Sequence, residues 1–155
     1  MPLSIGDRAP VFSLPQKPRD MVDLEALIGR GPIVLLFFPL AFSPVCTAEM
    51  CHMRDTWSQW SEIGATVLGI SVDSPFVAAK FREEQQIPFP ILSDFNKDVS
   101  ASYGALHDEL FGMRGVSKRA AFVIGRDGTL RYAWVSDEPG QQVPFDDVLS
   151  AVATA

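Results

Sequence analysis

Two short, mainly apolar runs and a helical stripe between them dominate the first half of the chain. Residues 33–38 (IVLLFF) and 67–72 (VLGISV) have the composition of strands buried on both faces. Between them, Met50, Met53, Trp57 and Trp60 recur at helical spacing, which predicts a helix over about residues 46–62 with these side chains in the core. Because Pro44 disfavours helix in the segment before it, we expect the helix to begin close to Cys46.

The rest of the chain alternates between helix signals and strand signals. Asp73-Ser74-Pro75 is a cap followed by a first-turn proline, which predicts a helix to about Gln86. Asp127-Gly128 predicts a hairpin between strands 120–124 and 130–135. The weaker elements are an extended arm with a short strand (5–14), one or two helical turns (23–28), a short extended stretch (88–92), a short helix (99–106) and a last helix opened by Pro144.

This order of elements favours one fold class. Parallel strands joined by helices and followed by an antiparallel hairpin are typical of an α/β, thioredoxin-like three-layer sandwich with a mixed central sheet. A flavodoxin-like parallel sheet is the alternative, and the Asp-Gly hairpin argues against it. At this length, we expect residues 1–155 to form a single domain.

Composition narrows the possible partners. A net charge of −6 argues against nucleic acid and against a polybasic membrane surface. The longest apolar run is far shorter than the ~20 residues of a membrane span, and the first residues lack the apolar core of a signal peptide. We therefore expect a soluble cytoplasmic protein, whose two cysteines are more often reduced and functional than a permanent cross-link.

Cys46 is the candidate nucleophile. Unpaired N–H groups and the positive end of the helix dipole stabilise a thiolate in a first helical turn. Ser43 can donate a hydroxyl hydrogen bond, and the backbone N–H groups of Val45 and Cys46 can hold an incoming oxygen. A fixed positive charge is missing from this segment. The alternative is that Cys46 is simply a small buried side chain.

Pro39, Ser43 and Cys46 also fit the peroxiredoxin signature P-x-x-x-[T/S]-x-x-C. The chain resembles that family over nearly its whole length, including residues 7–12 (DRAPVF) and 89–94 (FPILSD). The resemblance implies a thioredoxin-fold thiol peroxidase that reduces hydrogen peroxide or organic hydroperoxides. It also implies a thiol reductant as partner, such as thioredoxin or glutaredoxin.

The resemblance further implies an active-site arginine from a later strand. Arg119 stands at that position, and Lys118 is the less favoured substitute. Glu49 resembles the family residue that orients the arginine. The alternatives are a solvated Arg119 and an ordinary first-turn glutamate at position 49. Ser43 replaces the commoner threonine, so the hydroxyl is kept and a methyl is lost.

Cys51 is the candidate resolving cysteine, which would condense with a sulfenic acid on Cys46. Its spacing resembles the Q-type, or bacterioferritin-comigratory, subgroup, whereas residues 37–42 also resemble the alkyl hydroperoxide reductase E type, which often lacks this partner. Five helical residues place two side chains about 140° apart and their Cα atoms ~8.6 Å apart, beyond the roughly 4.4–6.8 Å of a disulfide. Local unwinding would therefore be required. The alternative is an inert packed thiol.

Other functions have weaker support. His52 and His107 lack metal-site spacing with the cysteines, and no G-x-G-x-x-G or phosphate-binding loop indicates a cofactor. A disulfide reductase is disfavoured, because it would carry C-x-x-C rather than C-x-x-x-x-C. The alternative from another class of function is a redox relay or holdase. We expect a homodimer rather than a monomer, paired through apolar residues beside the active site: Pro39, Leu40, Ala41, Phe42, Phe76, Leu110 and Phe111.

Overall fold

The computed structural model of the chain describes residues 3–155. Strands and helices alternate along it, with two additional short hairpins outside the main sheet. In chain order the elements are β1 (Ser13–Lys17), β2 (Asp20–Asp23), α1 (Leu24–Leu27), β3 (Ile33–Phe37), α2 (Pro44–Asp55), α3 (Trp57–Glu62), β4 (Thr66–Ser71), α4 (Pro75–Gln85), β5 (Ile91–Ser93), α5 (Asp98–Ser102), β6 (Glu109–Leu110), β7 (Met113–Arg114), β8 (Arg119–Ile124), β9 (Leu130–Ser136) and α6 (Phe145–Thr154).

The central sheet has five strands in the order β5-β4-β3-β8-β9. β3, β4 and β5 are parallel to one another, and β8 runs antiparallel to both β3 and β9. Helices α2 and α4 make the two crossovers of the parallel half. This mixed α/β sheet confirms the predicted thioredoxin-like fold class and excludes the all-parallel alternative.

β3 lies at the middle of the sheet and is buried along its whole length. Because side chains alternate between the faces of a strand, Val34 and Leu36 pack into one core, and Ile33, Leu35 and Phe37 into the other. The first core is closed by α2, α3, α4 and α6. The second is closed by β1, α1 and α5. Because β3 is covered by a core on each face, its sequence is an uninterrupted apolar run.

The helix after β3 differs from the predicted single helix over 46–62. It begins at Pro44, the first-turn position at which the missing N–H of proline costs no hydrogen bond. It ends at Asp55, and α3 resumes after Thr56. The Thr56 hydroxyl donates to the His52 carbonyl at 2.8 Å and accepts from the indole N–H of Trp60 at 3.2 Å. The Thr56 hydroxyl thus shares the His52 carbonyl with a backbone N–H, and this competition favours a break in the helix at Thr56.

The stripe of large side chains packs as predicted despite that break. Met50, Met53 and Trp60 are buried, and Trp57 packs against the same core. The α4 helix also matches its prediction, since Ser74 accepts from the Val77 N–H as its cap.

Two short hairpins were not predicted from the sequence. β1 pairs with β2, and β6 pairs with β7. In each case a non-glycine residue with positive φ turns the chain, Arg19 at 68° and Phe111 at 53°. The neighbouring Pro18 and Gly112 are turn residues, and Gly112 also has a positive φ of 81°, so both turns carry a local signal. Strands of two to five residues, however, give little alternation by which to recognise the hairpins.

The predicted short helix over 99–106 corresponds to α5, which ends at Ser102. Beyond it, Leu106 forms an isolated bridge with Ser117. Among residues 3–155, no helix is both long and apolar enough to cross a membrane.

Candidate active site

The site lies at the carboxyl end of β3, where the chain leaves the sheet and enters α2. Ser43 is the extended residue before the helix, and Cys46 is the third helical residue. The thiol therefore lies in the first turn, where backbone N–H groups lack intrahelical acceptors. Cys46 is only 1% exposed, so solvent competes little with the groups around its sulfur.

Arg119 supplies the positive charge that the segment around Cys46 lacks. It is the first residue of β8, and the pairing of Phe37 with Ala120 places it just beyond the end of β3. Its Nη2 donates to the Cys46 Sγ at 3.2 Å. Nε and Nη2 also donate to the Pro139 carbonyl at 3.2 and 2.8 Å. With 1% exposure, Arg119 is as buried as an apolar core side chain.

Glu49 lies one helical turn after Cys46 and faces the same guanidinium. Its Oε2 is 3.4 Å from the Arg119 Nη1, and both side chains are buried. Burial raises the pKa of Glu49 from 4.5 to about 7, against the opposing effect of Arg119. Burial therefore favours the neutral carboxyl, and the nearby guanidinium of Arg119 favours the charged carboxylate.

Pro39 and Ser43 form one wall of a pocket over the thiol. The pocket has a volume of about 240 Å³ and is lined by Pro39, Leu40, Ser43, Pro44, Val45, Cys46, Leu110, Phe111, Arg119, Pro139 and Gly140. Most of these groups are apolar, and among the polar ones Arg119 contacts the Cys46 sulfur. The Ser43 hydroxyl donates to the Leu40 carbonyl at 2.8 Å. Its hydrogen is therefore engaged within the loop, and its oxygen retains the capacity to accept.

Cys51 lies on the same helix but contacts a different element. Its Sγ is 3.7 Å from the Gln85 Oε1 of α4, and the Arg54 Nη1 donates to the Gln85 carbonyl at 2.8 Å. Both cysteines are free thiols. The helix runs without interruption from one cysteine to the other. The structure thus brings together Pro39, Ser43, Cys46, Glu49 and Arg119, and leaves Cys51 outside the pocket.

Neighbouring polar groups have other partners. Lys118 pairs with Asp137 at 2.6 Å rather than with the thiol. His52 is exposed and stacks on Phe145 with ring centroids 4.1 Å apart. Burial lowers the pKa of His107, and Lys118 adds to this shift. The residues that the structure describes contain no cluster of three or more His, Cys, Asp or Glu suited to a metal ion.

Sequence reasoning missed the contribution of the loop that follows β9. Pro139 uses only its backbone carbonyl to hold Arg119, and Gly140 lines the pocket. A main-chain acceptor carries no side-chain signal, so only the fold reveals its position.

Comparison with known proteins agrees with this geometry. The model of the AhpC/TSA family matches residues 5–133. The chain belongs to the AhpC/TSA family. It is 37% identical over 137 residues to a putative peroxiredoxin bcp of Coxiella burnetii, covering 86% of this chain and 89% of that relative. It is 33% identical over 135 residues to peroxiredoxin Bcp of Escherichia coli, covering 86% of each chain.

A solved structure gives the same result for the fold. The crystal structure of peroxidoxin BcpB from Mycobacterium tuberculosis superposes with a TM-score of 0.86 at 33% identity, covering 98% of this chain and 97% of that one. The chain is therefore a peroxiredoxin with Bcp-type relatives, and peroxiredoxins are thiol peroxidases. The family resemblance inferred from the motifs is confirmed.

The raised pKa of Glu49 predicts how stability varies with pH in this peroxiredoxin. The folded state binds a proton more tightly than the unfolded state, so the charged carboxylate destabilises the fold as pH rises from about 4.5 to about 7. In a Cys46→Ser background, we expect Glu49→Gln to gain unfolding free energy relative to Glu49 between pH 5 and pH 8. Urea unfolding of the two proteins at both pH values measures this difference. A difference that does not change with pH would contradict the assignment.

Proposed function

We propose that this peroxiredoxin reduces hydrogen peroxide and organic hydroperoxides through Cys46. The thiolate sulfur attacks one peroxide oxygen, an S–O bond forms, and the O–O bond breaks. The departing oxygen leaves as water or an alcohol after taking up a proton, and Cys46 becomes a sulfenic acid. The observation that carries the proposal is the 3.2 Å contact between the Arg119 Nη2 and the Cys46 Sγ in a mainly apolar pocket.

The pocket residues take complementary roles in this proposal. Arg119 and the start of α2 stabilise negative charge on sulfur before attack and on oxygen as the O–O bond breaks. Glu49 orients Arg119 through its ion pair. Ser43 offers an oxygen that can accept a hydrogen bond from the peroxide. Pro39 is buried and shapes the wall beside it. The apolar lining leaves room for the carbon group of an organic hydroperoxide beside the thiol.

Cys51 then resolves the sulfenic acid in our proposal. Its thiol sulfur attacks the Cys46 sulfur, a disulfide forms, and the sulfenic oxygen leaves as water. Because α2 is regular between the two cysteines, this step requires its first turns to unwind. The pKa of Arg54 is raised, first by its hydrogen bond to Asp55 and then by the nearby Cys51. The guanidinium of Arg54 is thus a positive charge close to Cys51.

A thiol reductant must then reopen the disulfide. Thioredoxin, glutaredoxin or another thiol can do so by attack on either sulfur. This requirement fits a cytoplasmic location, where such reductants keep thiols reduced.

Replacing Arg119 should separate its catalytic role from a structural one. We expect Arg119→Ala to slow peroxide reduction by a factor on the order of 10²–10³, because both thiolate and departing oxygen lose a fixed donor. Arg119→Lys should also be impaired, since one ammonium cannot bond sulfur and the Pro139 carbonyl in the same forked geometry. Stopped-flow peroxide kinetics measure both variants. Arg131→Ala is the matched control, because Arg131 is exposed and pairs only with Asp127 among the residues described. Wild-type kinetics in Arg119→Ala would contradict the role.

Intact mass after one equivalent of peroxide tests the role of Cys51. We expect the wild type to lose two hydrogens, as a disulfide requires, and Cys51→Ser to gain one oxygen. A wild type that gains oxygen without losing hydrogen would show that Cys51 does not resolve the sulfenic acid, which leaves that step to an external thiol. In that case Cys51 is a packed thiol, and the single-cysteine mechanism holds.

We also propose that the protein forms a homodimer beside this pocket. Phe42, Phe76 and Phe111 are 45%, 72% and 78% exposed, which is unusual for phenylalanine. Phe111 lines the pocket rim, and Phe42 belongs to the loop that forms its wall. A two-fold pairing would remove these apolar surfaces from water at ~25 cal/mol per Å².

Light scattering at micromolar concentration tests the dimer. We expect about twice the chain mass of 17.0 kDa. Phe42→Glu or Phe76→Glu should lower the measured mass to that of one chain. The two-fold interface would otherwise bury the introduced carboxylates of both protomers close to each other. A single-chain mass for the wild type would reject the dimer. A mass unchanged in both variants would reject this surface.

A further inference from the structure

The loop between β3 and α2 builds the pocket wall, yet most of it lies outside regular structure. Residues 38–43 contribute Pro39, Leu40 and Ser43 to the pocket. Phe42 in this loop has a φ of 68°, a conformation that costs free energy for a non-glycine residue. Such a loop keeps one conformation only if its surroundings hold it in place.

Asp73 provides a contact that holds the middle of this loop. The Ala41 N–H donates to the Asp73 Oδ2 at 2.7 Å, across 32 residues of sequence. The Ser71 hydroxyl donates to the same oxygen at 2.6 Å and so fixes the carboxylate rotamer. The position of this oxygen therefore sets the position of the Ala41 N–H.

Asp73 is in turn anchored to the sheet. It lies two residues after the end of β4 and directly precedes Ser74, the cap of α4. The Ser93 hydroxyl at the end of β5 donates to the Asp73 carbonyl at 2.5 Å. The carboxyl ends of β4 and β5 thus brace the loop that follows β3.

We propose that Asp73 is a positioning residue for peroxide reduction, whose carboxylate fixes the pocket loop through the Ala41 N–H. This inference rests on the proposed function of Cys46. Asp73 does not line the pocket, so it acts through the position of Pro39, Leu40 and Ser43. A displacement of about 1 Å in such a wall is sufficient to cost on the order of 10²-fold in rate.

The test separates the effect of side-chain length at position 73 from the effect of charge. Asp73→Asn keeps an oxygen at the same distance without the charge, whereas Asp73→Glu keeps the charge and adds one methylene. In a Cys51→Ser parent, two rates for Cys46 are measured: oxidation by hydrogen peroxide and alkylation by iodoacetamide. Alkylation reports the thiolate itself and does not use the peroxide-binding geometry.

We expect the ratio of the peroxide rate to the alkylation rate to fall by about 10–100-fold in Asp73→Glu. In Asp73→Asn we expect it to stay close to that of the parent. An unchanged ratio in Asp73→Glu, including an equal fall in both rates, would overturn the proposal. So would an equal loss of the ratio in both variants, since the loss of charge at an unchanged side-chain length would then be as harmful as the added methylene.

Amide exchange of Ala41 in the parent tests the contact without any change at position 73. We expect protection of this N–H, and rapid exchange would overturn the proposal. If the peroxidase assignment itself were wrong, the parent would react with peroxide no faster than free cysteine. That outcome is distinct from any difference among the position 73 variants.

Discussion

A guanidinium buried beside a thiol is the constraint around which the site is organised. Removing a charged group from water costs several kcal/mol unless partners replace the lost hydration. Arg119 finds those partners in the Cys46 sulfur, the Pro139 carbonyl and the Glu49 carboxylate. Cys46 and Glu49 belong to α2 and Pro139 to the loop after β9, so β8, α2 and that loop must all be in place before the charge is satisfied. The same contacts that hold Arg119 direct its positive charge to the reactive sulfur.

The pocket and the proposed disulfide place opposite demands on α2. Peroxide reduction uses the intact first turn, because its N–H groups and the ion pair of Glu49 with Arg119 depend on the helix. Disulfide formation requires that turn to open, since Cys51 packs against Gln85 on α4 instead of facing Cys46. The raised pKa of Glu49 shows that the buried pair is held at a cost. A helix whose first turns are only marginally favoured suits both steps.

The sequence predicted the parts of the site that depend on chain continuity. The apolar run before Pro39 and the spacing of Ser43 and Cys46 placed the thiol at a helix start, and the structure has it there. The family resemblance pointed to Arg119 and Glu49, and their catalytic roles stay proposals. Other features depend on long-range backbone contacts. The Pro139 carbonyl and the bond from Ala41 to Asp73 have no local pattern, because tertiary packing selects them. The break at Thr56 was missed because the apolar stripe continues across it.

The most direct test of the central claim is peroxide consumption by the reduced protein without any reductant. We predict that wild type and Cys51→Ser each consume peroxide rapidly and in proportion to protein, because Cys46 alone performs the first step. We predict that Cys46→Ser, which keeps Cys51, consumes none above the buffer background, since an alcohol is not ionised at neutral pH. Rapid consumption by Cys46→Ser would contradict the account.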